Sequence, residues 1–199
     1  SEVMRISAEH LGEKWNVEGN VFLIAILSGE ESAVYSEAEK ISQICIEGDG
    51  LEPSIAERRD EQEAILKIRS NIFTALKKDY MDIFDTTVPP SAIGKLADEI
   101  DRIAEKYNAY IPVYGHAADG NVHSHVMKKD ADKYDAIKNE IYEAAIKLGG
   151  VITGEHGIGK IRVKELSRLV HPKSLEIMKG IKRLFDPNNI LNPSTVVEI

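Results

Sequence analysis

The stretch Gly115–His125 reads GHAADGNVHSH. Its centre, Asp119-Gly120, lies between two strand-like runs, Tyr110–Tyr114 and Asn121–Met127, and this is the signal of a two-residue hairpin turn. With that turn Ala118 faces Asn121, Ala117 faces Val122 and His116 faces His123. Opposed residues share a face of the ribbon, with β-carbons about 4.5–5.5 Å apart. His125, two positions further on, shares that face too. Neutral imidazoles so placed can hold one divalent ion, each through a ring nitrogen at about 2.0–2.1 Å. A lone histidine in a hairpin is usually only hydrogen-bonded. An opposed pair beside a third favours metal or catalysis, and two imidazoles leave the coordination sphere short of a carboxylate.

Outward from the hairpin, strands and helices alternate. Asn20–Ser28 (NVFLIAILS) reads as a buried strand, and Glu31–Ile46 as a helix with Val34, Ala38, Ile41 and Cys45 on one face. Ser54–Lys78 has helical apolar spacing, Tyr80–Val88 is a strand, and Pro89-Pro90-Ser91 opens a helix with Ile93, Leu96, Ile100, Ile103 and Tyr107 inward. A helix over Asp130–Leu148 stops at Gly149-Gly150, a basic helix covers Lys160–Arg168, and another starts at Pro172. The order predicts an α+β fold, a ferredoxin-like antiparallel sheet with helices on one face, plus a C-terminal helical segment. Residues 1–150 are expected to form that cap, and residues 151–199, the glycine-rich loop and C-terminal helices, to pack elsewhere.

The loop Gly149–Lys160 reads GGVITGEHGIGK. Gly154–Lys160 fits the GxxxxGK of a phosphate-binding loop, but Ile161 stands where a hydroxyl must ligate magnesium. The other reading is that the glycines present Glu155 and His156. Glu155 then supplies the carboxylate the hairpin lacks, and His156 a general base beside the ion.

Composition narrows the function. The 199-residue chain is 43% hydrophobic and 29% charged, as in ordinary globular proteins. A formal net charge of -8 argues against a nucleic-acid groove. The single cysteine, Cys45, excludes an internal disulfide and fits a reducing, cytoplasmic compartment. The longest apolar run, Val21–Leu27, is too short to span a bilayer.

Taken together, GHxxDGNxH, GGxxxGEHGIGK and the terminal DPNNILNP resemble the C-terminal cap domain of the FAD-linked oxidases of the vanillyl-alcohol-oxidase superfamily. The motifs look like those of the glycolate oxidase, D-lactate dehydrogenase and D-2-hydroxyglutarate dehydrogenase group. Motifs match from about Asp85 onward, and the first eighty residues only in element order. The resemblance implies a divalent metal, commonly zinc, held by His116, His123 and Glu155, with His156 as the base. It implies a small 2-hydroxy acid as substrate, its carboxylate held by Arg69. His125 stands where several members carry a substrate-contacting asparagine, and a fourth metal ligand is its alternative role. Ile83 occupies the place of a lysine found in some relatives. FAD is expected in an N-terminal domain outside this chain, approached by Asn192, with the isolated chain inactive. A homodimer and a peripheral position on the inner membrane face are compatible arrangements. Two other readings are a stand-alone metal-dependent hydrolase, which needs no flavin, and a non-catalytic ferredoxin-like module, which needs no metal.

Overall fold

The computed structural model describes residues 2–199. Residues up to Lys78 and residues from Asp79 onward form two compact units.

The second unit is built on three antiparallel strands, β1 (Tyr80–Thr87), β2 (Val113–His116) and β3 (Asn121–Met127), in the order β1-β3-β2. Beyond β1, Val151 makes a two-bond antiparallel bridge to Thr87, with N···O distances of 3.1 and 2.8 Å. The Gly154 N–H then reaches the Asp85 carbonyl at 2.8 Å. This is the ferredoxin-like order with its fourth strand cut down to one bridge, and the glycine-rich loop follows directly from that stub.

In a strand, alternate residues share a face. Phe84, Thr86, Val122, Ser124 and Val126 therefore point one way, and Asp85, Thr87, Asn121, His123 and His125 the other. Phe84, Val122 and Val126 meet two helices, α5 (Ile93–Tyr107) and α6 (Tyr134–Lys147), in one apolar core. The predicted stripe of α5 is there: Leu96, Ile100 and Ile103 are fully buried. Asn108, left-handed at φ 44°, ends that helix. Ile137, Ile141, Tyr142 and Ala145 are the buried face of α6. The core continues past residue 150, taking in Ile152, Ile158, Val197, and Val163 and Leu166 of α7 (Val163–Leu169). The last helix, α8 (Pro172–Phe185), is capped by His171, whose Nδ1 accepts the Lys173 N–H at 3.2 Å.

The first unit contains α1 (Glu2–His10), α2 (Glu31–Glu47), α3 (Arg59–Ser70) and α4 (Ile72–Leu76). α1 packs on α3 and α4, and Val3, Met4, Ala8, Ile68, Ile72 and Leu76 are buried.

Five expectations need correction. Asn20–Ser28 is not a strand: it is irregular and has no ladder partner among the described residues, with Val21 88% and Leu23 67% exposed. β-rich composition favours a pleated, half-buried surface, and it makes a strand only where a neighbour exists. The helix expected over Ser54–Lys78 is two helices broken at Asn71. The strand expected at Tyr110–Tyr114 starts at Val113, after Pro112, which has no N–H to give a ladder. The basic helix begins at Val163 rather than Lys160. Finally, the hairpin is wider than a two-residue turn. Its register pairs His116 with Asn121 and Tyr114 with His123, leaving Ala117–Gly120 as a four-residue loop. Gly120 is left-handed at φ 79° and its carbonyl accepts the Val88 N–H at 3.0 Å, while a β-carbon on it would lie 1.8 Å from the Val88 oxygen.

Candidate metal centre

The register differs from expectation by two residues, an even number, so the faces are kept. His116 and His123 still share the side of the sheet away from α5 and α6, with ring centroids 5.7 Å apart. They are diagonal neighbours and not an opposed pair. The position opposite His123 belongs to Tyr114 on one side and Asp85 on the other.

Glu155 completes the group. Its Oε1 lies 3.2 Å from His123 Nε2, 3.9 Å from His116 Nδ1 and 3.9 Å from His156 Nε2. Two ligands of one tetrahedral zinc at 2.0–2.1 Å lie about 3.3 Å apart. The His123–Glu155 spacing fits that figure, and His116 needs to close by about half an ångström. Asp85, His123, Glu155 and His156 each place one ligand-type atom within 4.8 Å of the others. The His156 ring stacks on His123 at 5.1 Å, 12° from parallel. The side chains of Glu155 and His156 are 51% exposed and that of His123 only 6%, so the group is open on its loop side and closed on its sheet side. A mixed nitrogen and oxygen donor set with one open flank suits a catalytic divalent ion.

Asp85 organises the loop. Its Oδ2 accepts backbone N–H bonds from Gly154 (2.9 Å), Glu155 (2.9 Å) and His156 (2.7 Å), and a longer bond from Thr153 Oγ1 (3.3 Å). Its Oδ1 accepts from Asn121 Nδ2 at 2.7 Å, and Asn121 also donates to Thr87 Oγ1 at 3.1 Å. Gly154 passes so close that a β-carbon would sit 2.0 Å from Asn121 Nδ2. Burial works to raise the Asp85 pKa, but the bonds from Asn121 and the His156 and Glu155 amides outweigh it and hold the group below the usual carboxylate range. His123 goes down as well: burial disfavours its charged form more than Asp85 favours it. Sequence reasoning gave Asp85 and Asn121 no role. The available signal was an acid at the centre of a strand, a place where aspartate is depleted.

The remaining candidates are placed as follows. His125 is fully buried, and neither ring nitrogen has a hydrogen-bond partner. Tyr80 and Tyr114 flank it at 5.6 and 5.2 Å, and burial pushes its pKa down to about 4. It lies outside the group that gathers around Glu155. Arg69 is half-buried on α3 in the first unit. Asn192 is exposed in the C-terminal tail, left-handed at φ 47°. Ile83 turns its carbonyl to Arg162, whose Nη2 donates at 2.9 Å and pairs with Asp82 at 2.7 Å.

The chain is 36% identical to a D-lactate dehydrogenase of Archaeoglobus fulgidus over 189 residues, 94% of this chain and 41% of that protein. It is 37% identical to the glycolate oxidase subunit GlcD of Bacillus subtilis over 172 residues, 83% of this chain and 37% of that protein. It is 25% identical to the GlcD subunit of Escherichia coli over 198 residues, 96% of this chain and 40% of that protein. The chain thus spans about two fifths of the length of these curated relatives. The family described as FAD linked oxidases, C-terminal domain, matches residues 1–196, and the chain belongs to that family.

Proposed function

We propose that the chain is the substrate- and metal-holding part of an FAD-dependent oxidoreductase that converts a small 2-hydroxy acid, of the glycolate or D-lactate kind, to the 2-oxo acid. The observation that carries the reading is the convergence of His123 Nε2, His116 Nδ1 and His156 Nε2 within 3.9 Å of Glu155 Oε1. His116, His123 and Glu155 hold a divalent ion, zinc by its donor preferences. Such an ion, when bound, would supply Lewis-acid polarisation of the substrate hydroxyl. His156 Nε2, on the exposed side of the group, takes the hydroxyl proton. The Asp85 carboxylate stands 4.0 Å from His156 Nδ1. Arg69 binds the substrate carboxylate as a two-pronged cation. His125 is retained as the substrate contact on β3, and Asn192 as the neighbour of the flavin. FAD would supply the hydride-accepting chemistry. It is held by an N-terminal domain of the same protein or of a separate chain, and residues 151–199 pack against that domain. The whole protein works in the cytoplasm or at the inner face of the membrane, and a homodimer is its expected assembly.

Metal removal and reloading, followed by assay, test this reading. The chelated chain should take up zinc stoichiometrically, and its melting temperature should rise with added zinc. With FAD, a dye acceptor and glycolate or D-lactate, the chain alone should show no turnover. Failure to take up zinc, with an unchanged melting temperature, rejects the metal site. Turnover by the chain alone rejects the dependence on a flavin domain, and ester cleavage without flavin points to a hydrolase instead.

A further inference from the structure

Asp85 does more than a buried acid needs for its own solvation. It stands opposite His123 in the β1–β3 register and is 5% exposed. A carboxylate has about four acceptor positions. Those on Oδ2 are taken by the amides of Gly154, Glu155 and His156 and by the Thr153 hydroxyl. Oδ1 takes Asn121 Nδ2 and stands 3.4 Å from His123 Nδ1. That ring nitrogen is buried and has no hydrogen-bond partner. So occupied, Asp85 is poorly placed to be a metal ligand, although it lies among the ligand atoms. It touches instead the two pieces of chain that must be held for a metal to bind: the loop bearing Glu155 and His156, and the ring of His123.

The two ring nitrogens of an imidazole are linked. A proton kept on Nδ1 by a carboxylate leaves Nε2 with its lone pair free, and the partner of the unligated nitrogen sets both tautomer and ring orientation. In His123 the nitrogen that must stay bare is Nε2, 3.2 Å from Glu155 Oε1. The nitrogen that must keep the proton is Nδ1, and Asp85 Oδ1 is the acceptor facing it.

We propose that Asp85 is the positioning residue of the metal centre: its Oδ2 pins the Gly154–His156 loop, and its Oδ1 fixes His123 as the Nδ1–H tautomer with Nε2 free for a divalent cation. This rests on the metal reading of the site. Asp85→Asn separates the two jobs. The amide oxygen can go on accepting the loop N–H groups. The amide NH2 then faces both Asn121 and His123 Nδ1 with a donor: Asn121 can flip to present its unpaired Oδ1, whereas His123 must move its ring proton to Nε2, which disfavours ligation.

The test uses the chain itself, with Co²⁺ and Zn²⁺ as probes. Asp85→Asn should keep its fold, bind Co²⁺ 10- to 100-fold more weakly than the wild type, and show altered visible cobalt bands. In the zinc-loaded wild type, ¹⁵N NMR of the imidazoles should show His123 ligated through Nε2 and protonated at Nδ1. That measurement needs no variant and holds even if Asp85→Asn does not fold. Ligation through Nδ1 overturns the proposal. So does an Asp85→Asn protein that melts lower yet binds cobalt with wild-type affinity and spectrum, because that is what a merely structural residue would do. A wild type that takes up neither ion rejects the metal centre itself, a result distinct from either of these.

Discussion

The two faces of one three-stranded sheet divide the labour of this protein. Toward α5 and α6 the strands present Phe84, Val122 and Val126, closed into an apolar core. On the reverse, the same strands present Asp85, Asn121, His123 and His125, all buried and all polar. A buried polar atom without a partner is destabilising, and on this reverse face both nitrogens of His125 and Asn121 Oδ1 have none. The helix face holds the strands in place, and the reverse face spends some of that stability on keeping donors and acceptors unpaired. A strand alternates every residue, so neighbours such as Phe84 and Asp85 serve opposite ends.

The largest test of that division is Phe84→Ala. Removing a fully buried ring at the junction with Tyr142 and Tyr134 should cost about 3–4 kcal/mol in urea unfolding, while zinc affinity of the folded protein stays as in the wild type. Loss of zinc binding at full folding would mean that the two faces are not independent. A smaller effect belongs to the helix side. Glu165 on α7 pairs with Lys138 of α6 at 2.8 Å, both side chains 11% exposed. Burial acts to raise the Glu165 pKa, but the Lys138 hydrogen bond prevails and holds it below the usual carboxylate range. A depressed carboxylate stabilises the fold above its unfolded pKa and loses that contribution as the pH falls through its folded pKa. Glu165→Gln should therefore cost about 1.5 kcal/mol at neutral pH. The gap to the wild type should begin to close below about pH 4.3, the ordinary glutamate value, in unfolding curves taken across that range. A gap that stays constant would deny the pair its role. The smallest effect is expected at His123→Leu, where a desolvated imidazole gives way to an apolar side chain of similar bulk. Stability should change by less than about 1 kcal/mol, and zinc uptake should be lost. A loss as large as that of Phe84→Ala would place His123 in the scaffold.

What could be read in the sequence follows from how local each feature is. β3 was legible to its last residue, because DGN opens it and MKKD closes it. The buried stripe of α5 repeats at helical spacing and needs no partner to be seen. The hairpin turn was misjudged by two residues, yet the histidines stayed on one face, since an even slip preserves strand parity. Asn20–Ser28 failed for the opposite reason, because a strand is defined by a neighbour that sequence does not name. The gathering of Glu155 and His156 with the hairpin was anticipated from their chemistry. The part played by Asp85 was not, because it depends on three amides about seventy residues away.

The occupied Asp85 carboxylate also explains a resemblance that leads nowhere. Gly154–Lys160 spells most of a nucleotide-phosphate cradle, and successive amides turned one way form the kind of concavity that captures oxyanions. Here the oxyanion is built into the neighbouring strand and never leaves. A mononucleotide arriving at this loop finds the amides of Gly154, Glu155 and His156 already engaged. The chain thus keeps the geometry of an anion receptor and uses it as an internal fastener.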